Sequence, residues 1–211
     1  MNSAIRWRIM SLQAVLFVVL AAAGGFALLE GAYVTNQVHD QLVAQQIYFP
    51  TADQVKTGGA LDPANFPKEI QDQAGNQVTD GNQARIYAND FINVHLQGVA
   101  GGKTYAQVSS AAIALQGQIA NTPKTDPNYA AMQTQLATLN GQKTTLFQGE
   151  MLRGMLLNSY GWWQFGVYMT FAAYGLFLVA LVVLGALVFE AIVAARQPEK
   201  IKVPQQKTAT A

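Results

Sequence analysis

The stretch Phe165 to Phe189, FGVYMTFAAYGLFLVALVVLGALVF, limits what this chain can fold into more than any other. It carries no charge and is apolar apart from Thr170 and the Tyr hydroxyls. At about 1.5 Å per residue, a helix of this length reaches roughly 37 Å. That exceeds a hydrocarbon core of about 30 Å, so it can cross a bilayer with some tilt. A second apolar run, Ile9 to Leu29, has only Ser11 and Gln13 as polar members and is also long enough to span. Arg6 and Arg8 precede it, and Trp7 between them suits the headgroup layer. A cleaved signal peptide is the alternative, with Ala21-Ala22-Ala23 as the small-residue site. The length of the run and its continuation through Phe26-Ala27-Leu28-Leu29 favour an uncleaved span.

The two runs set the topology. Arg6 and Arg8 precede the first; Arg196, Lys200, Lys202 and Lys207 follow the second. The segment between holds seven basic and nine acidic residues, with no basic residue close after the first span. The positive-inside rule therefore puts both termini in the cytoplasm and the middle outside. The expected architecture is an all-α membrane protein, two transmembrane helices continuing into an α-helical extracytoplasmic domain. Its parts are a cytoplasmic N-terminus (1–8), span 1 (9–29), a helical ectodomain (30–161) with a loop-rich insert (47–81), span 2 (162–189) and a cytoplasmic basic tail (190–211). The expected location is a bacterial plasma membrane.

Periodicity organises the middle. Tyr33, Val34, Val38 and Leu42 continue the first helix to about Gln46. Pro50 closes it. Gly58-Gly59, Asp62-Pro63, Phe66-Pro67, Gly75-Asn76 and Asp80-Gly81 then mark a connection too long for a simple loop, either a functional lobe or an arm lying on a partner. Asn82 to Gln97 reads as a helix capped by Thr79 or Asp80 and stopped by Gly98 and Gly101-Gly102. Thr104 opens another helix, and Asp126-Pro127 a very long one that runs to the second span. Its glycines predict a bend near Asn140-Gly141 or Asn158 to Gly161. The terminal PQQKTATA reads as a disordered tail.

Charged residues are 12% of the chain, about half the roughly 25% of soluble domains. The net charge of +1 gives no surface for nucleic acid. The absence of cysteine excludes disulfides, thiolate metal sites and Cys nucleophiles. His39 with Asp40, and His95 near Asp90, are the residues from which a divalent metal site could be drawn; ordinary surface or half-buried histidines are the simpler reading. No phosphate-binding loop, nucleophile elbow or zinc-protease motif is present. Gly101-Gly102-Lys103-Thr104 is a helix stop followed by a cap. The sequence thus implies no enzyme, cofactor or metal.

Membrane-interface candidates are Trp7, Tyr160, Trp162, Trp163, Tyr168 and Glu190, the last more an interfacial group than an ion path. Gly24, Gly25, Gly175 and Gly185 are candidates for close helix packing between the spans. Phe49, Phe66, His95 and Arg153 are candidates for partner contact.

The segments FINVHLQGVAGGKTYAQV (Phe91 to Val108) and MLRGMLLNSYGWWQFG (Met151 to Gly166) resemble a family of uncharacterised two-span membrane proteins of actinobacteria. Ile92 and His95, Gly101 to Ala106, and Leu152, Arg153 and Leu156 carry that resemblance, with Val38 and Leu42 on the exit helix. Some relatives bear the label aromatic-ring-opening dioxygenase, and this chain has no iron-ligand set to match it. Residues Ala111 to Leu146 look longer than the family's short connection, as though a helical hairpin had been added. The resemblance implies the fold and topology and no particular activity. The expected function is a non-catalytic accessory or scaffold subunit of a membrane complex, respiratory or transport for instance, or a homo-oligomer. Its partners would be the lipid bilayer and other membrane subunits. The alternative is an extracytoplasmic sensor or ligand-binding module signalling through a partner.

Overall fold

Two helices carry most of the chain in a computed structural model that describes residues 3–196. The first, α1, is Ser3–Gln45, and the last, α6, is Tyr129–Arg196. Between them come α2 (Lys68–Gln71), α3 (Gly81–Ile86), a π-helical turn (Tyr87–Ile92), α4 (Asn93–Val99) and α5 (Tyr105–Ala120). Among the described residues there is no strand, only an antiparallel bridge pairing Tyr48 with Gln77. The protein is all-helical, as its periodicity requires. The tail from Gln197 onward, with Lys200, Lys202 and Lys207, lies outside the described residues.

The chain divides into two units. The apolar unit joins the residues up to Glu30 with those from Tyr168. Both of its helices are long and apolar enough to cross a membrane, and little of either apolar window is covered by protein. In α1, Met10, Gln13, Phe17, Leu20, Gly24 and Ala27 turn inward at steps of three and four. In α6, Ala173, Phe177, Ala180, Leu184 and Leu187 do the same. A 3.5-residue period belongs to helices packed as a left-handed pair. Gly24 makes the close approach: a Cβ there would lie 3.0 Å from the Phe177 ring. Gly25, Gly175 and Gly185 face open space. Of the four packing candidates, Gly24 makes the close contact, and its companion is Phe177: the missing side chain admits a large ring. Gln13 Oε1 is buried in this unit without a hydrogen-bond partner.

The helical unit, Gly31–Val167, has its core in the loop-rich segment. Phe49, Leu61, Phe66, Ile70 and Val78 are buried together with Val38, Leu42, Ile86 and Leu156. Gln46 at φ 54° ends α1 in the left-handed conformation that usually stops a helix. The chain then returns on itself: the Phe49 amide donates to the Asn76 carbonyl (2.9 Å) and the Val78 amide to the Ile47 carbonyl (2.8 Å). Asp62 organises the next turn, its carboxylate accepting from the amides of Gly58 (2.7 Å) and Ala64 (2.9 Å). Those two bonds hold its pKa below the ordinary carboxylate value.

Helix caps follow the sequence closely. The Asp80 side chain accepts from the Gln83 amide, capping α3. Thr104 and Gln107 form a reciprocal capping box on α5. Asp126 Oδ1 accepts from the Asn128 amide just ahead of α6. The helical run from Gly81 passes through Gly98, expected as its stop, and ends at Val99; Gly101 (φ 61°) and Gly102 (φ 79°) make the turn. Helix α6 shows no break at Asn140-Gly141 or Asn158 to Gly161. Elsewhere in this unit glycine permits contact. A Cβ on Gly81 would strike Trp163, and one on Gly149 would strike Leu96. One on Gly166 would stand 2.9 Å from the Gly31 carbonyl.

Candidate functional site

A row of rings crosses the lobe. Phe49 meets Tyr87 edge-on (5.2 Å between centroids), and Tyr87 meets Phe91 at 5.0 Å. Phe91 meets His95 at 4.4 Å, and Phe66 lies 5.7 Å from His95. Tyr87, Phe91 and His95 recur every four residues, so successive helical turns present them on neighbouring positions. Phe49 is only 2% exposed and Phe66 is also buried. Both expected partner contacts are thus taken up by the lobe's own interior, because the irregular segment folds inward rather than lying as an arm. His95 is exposed at the end of the row, with Nδ1 2.9 Å from the Phe91 carbonyl oxygen. His39 is far along α1, its Nδ1 2.9 Å from the Thr79 carbonyl oxygen. Among the described residues no three acidic or histidine side chains gather as a metal site.

The π-helical turn carries an acidic residue with an altered titration. Burial raises the pKa of Asp90, the nearby Glu69 charge adds to that, and Arg85 opposes both. Glu69 and Arg85 form an ion pair, and Asn82 Oδ1 accepts from Arg85 at 3.2 Å. Burial also raises the pKa of the Tyr87 hydroxyl. Sequence reading misses this turn, since a π-bulge, a feature frequent at functional sites, has no periodic signature of its own. Arg153 donates to Glu150 (3.0 Å) and to Asn89 (3.3 Å), so it ties α6 to the π-helical turn. Its role is internal as well as superficial.

The interface candidates separate. Trp7, Trp162 and Tyr168 are well exposed. Trp163 is half-buried against the lobe core and stacks on Tyr160 at 6.4 Å. Tyr160 and Trp163 are therefore shielded in part from any surface role, a result of the contact at Gly81. Glu190 lies 3.5 Å from Arg6, an ion pair that joins the two ends of the apolar unit.

Two surface features remain. Phe147, Met151, Leu152 and Met155 on α6 are 52 to 64% exposed. Phe147, Met151 and Met155 stand four residues apart, on one face. Beside them, α1 and α6 enclose a groove of two adjoining cavities, about 320 and 380 Å³, which share Gln41, Asn158 and Ser159. Comparison with protein-family models, curated proteins and solved structures returns no match to this chain.

Proposed function

We propose that the protein is a two-span membrane protein serving as a non-catalytic accessory or scaffold subunit, its helical unit docking another membrane subunit or a second copy. In this reading residues 30–161 lie outside the cytoplasm, as the distribution of Lys and Arg favours. The observation that carries the reading is the apolar face of Phe147, Met151 and Met155. It lies N-terminal to the exposed aromatic Trp162 and outside the uncharged run that begins at Phe165. Large apolar side chains standing together on a wetted helix are characteristic of interaction surfaces. Methionine suits such a face because its flexible thioether adapts to a partner.

The test is a photo-crosslinking amino acid placed singly at positions 147, 151 and 155 in native membranes, with Gln135 as an exposed polar control. The expected result is a discrete protein adduct, at the mass of a dimer or of one other subunit, from the three positions and not from Gln135. Adducts with lipid alone, or equal labelling at Gln135, would overturn the reading.

A further inference from the structure

The groove between α1 and α6 has a chemistry distinct from the apolar face beside it. Gln37, Gln41 and Gln45 stand four residues apart on α1 and form one ridge. Asn158 and Ser159 face them from α6, Tyr33 and Trp162 line the same cavity, and Met151 and Met155 line the adjoining one. Each cavity is in the size range of small-molecule sites, roughly 300 to 1,000 Å³. Among the described residues, the only ionisable acid or base lining it, apart from the Tyr33 phenol, is Glu150, whose carboxylate is paired with Arg153.

This composition selects a ligand class. Without a cation the groove offers no charge-assisted hydrogen bond to a phosphate or carboxylate, and without a free anion none to an amine. Carboxamides both donate and accept, so a row of them matches a ligand whose neighbouring groups also do both, as vicinal hydroxyls do. The side chains of Gln41, Gln45 and Asn158 make no hydrogen bond to another described residue, which leaves these groups available. Gln37 donates weakly to the Tyr33 hydroxyl (3.4 Å). Tyr33 and Trp162 are both well exposed and line the same cavity, which places aromatic surface beside the carboxamides. Ser159 donates its hydroxyl to the Met155 carbonyl (3.2 Å) and lines the groove beside no His or Lys, so the site binds without reacting. We infer that this groove binds an uncharged, polyhydroxylated ligand, a sugar unit hydrogen-bonded by Gln41 and Asn158 and stacked against Trp162. The sugar is either free or the headgroup of a glycolipid. The groove shares Met151 and Met155 with the docking face, but the inference rests on Gln41, Asn158 and Trp162 and stands whether or not a partner docks there.

The test uses the full chain in nanodiscs free of sugar detergents, with tryptophan fluorescence as the readout. The probes are maltose, lactose and chitobiose as free sugars, and dodecyl maltoside against dodecyl phosphocholine for the lipid-borne form. A saturable change with a free sugar assigns the free ligand. A change with dodecyl maltoside, but with neither free maltose nor dodecyl phosphocholine, assigns the headgroup of a lipid. In both cases Asn158→Ala and Gln41→Ala should each weaken the apparent affinity by up to about tenfold, one hydrogen bond's worth, while Gln135→Ala leaves it unchanged. Gly154→Phe offers a second check, because a Cβ at Gly154 meets nothing within 4 Å and the ring would enter the cavity that Gly154 lines with Gln41 and Asn158 while the fold is kept. Circular dichroism verifies that these variants fold. An equal response to dodecyl phosphocholine, binding that survives Asn158→Ala, Gln41→Ala and Gly154→Phe, or no saturable response to any probe, overturns the inference.

Discussion

The lobe from Ile47 to Val99 and the hairpin of α5 with the start of α6 are built by opposite means. The lobe is irregular, with left-handed glycines at Gly58 and Gly75, short helical turns and a lone bridge, yet Leu61, Ile70 and Val78 are fully buried. The hairpin is regular helix on either side of one turn, yet its interior is little more than Val108, Ala112, Leu115 and Leu146. Regularity and burial are separate properties. A helix satisfies its own backbone and needs few neighbours, whereas a chain without repeating hydrogen bonds holds its place through tertiary contacts.

The largest effect that probes this contrast comes from paired truncations. Ile70→Ala should destabilise the lobe by about 3 kcal/mol, in the range for a fully enclosed aliphatic side chain. Leu115→Ala, at a buried residue that is 8% exposed and outside the cluster of Leu96, Ala100, Val108 and Leu146, should cost less, about 2 kcal/mol. Thermal unfolding of the detergent-solubilised protein, followed by hydrogen exchange in the two regions, reads both. Equal losses, or a larger loss for Leu115→Ala, would show that the hairpin is as tightly held as the lobe.

A smaller and more local effect is expected at the start of α5. The Thr104 hydroxyl accepts from the Gln107 amide (3.3 Å) while Gln107 Oε1 accepts from the Thr104 amide (2.9 Å). Thr104→Ala removes the first of these bonds and should cost about 1 kcal/mol. Faster amide exchange at Gln107 and Val108, with no change at Val78, is the expected pattern. Exchange that also quickens at Val78 would mean that the hairpin and lobe unfold as one.

What the sequence revealed follows from the same contrast. The end of α1 near Gln46, the caps at Asp80 and Thr104, and the start of α6 near Asp126 were legible because each is set by residues within one or two turns. The lobe was legible only as a cluster of breakers. Its order depends on pairs such as Phe49 with Tyr87, or Val78 with Ile47, whose separation no periodic pattern encodes. For the same reason Phe49 and Phe66 read as outward anchors and proved to be interior. Gly24 was legible as a packing position, but its companion was Phe177, since small residues reveal where a close approach is possible and not what makes it. Of the groove, Gln37, Gln41 and Gln45 were legible as the polar face of α1 and Tyr33 as part of its apolar repeat, but nothing local marked Asn158 and Ser159 as facing them.

The smallest expected effect tests whether the lobe's packing reaches the π-helical turn. Asp90 is partly withdrawn from water beside Glu69, and its folded-state pKa is raised above the ordinary carboxylate value. The folded state then binds the proton more tightly than the unfolded chain. Between the ordinary value and the raised one it holds more protons than the unfolded chain, so stability falls as pH rises through that window. Below the ordinary value Asp90 is protonated in both states, and the stability lost at higher pH is present in full. Asp90→Asn removes the ionisation. It should stabilise the protein slightly at pH 7, by less than about 0.5 kcal/mol, and the gain should vanish on acidification below the carboxylate range. Arg85 pulls the other way, which is why the effect stays small. A variant less stable than the parent at pH 7 would mean that the ionised carboxylate is held by Arg85 more strongly than burial and Glu69 oppose it. A gain that persisted at acid pH would assign the effect to packing rather than charge.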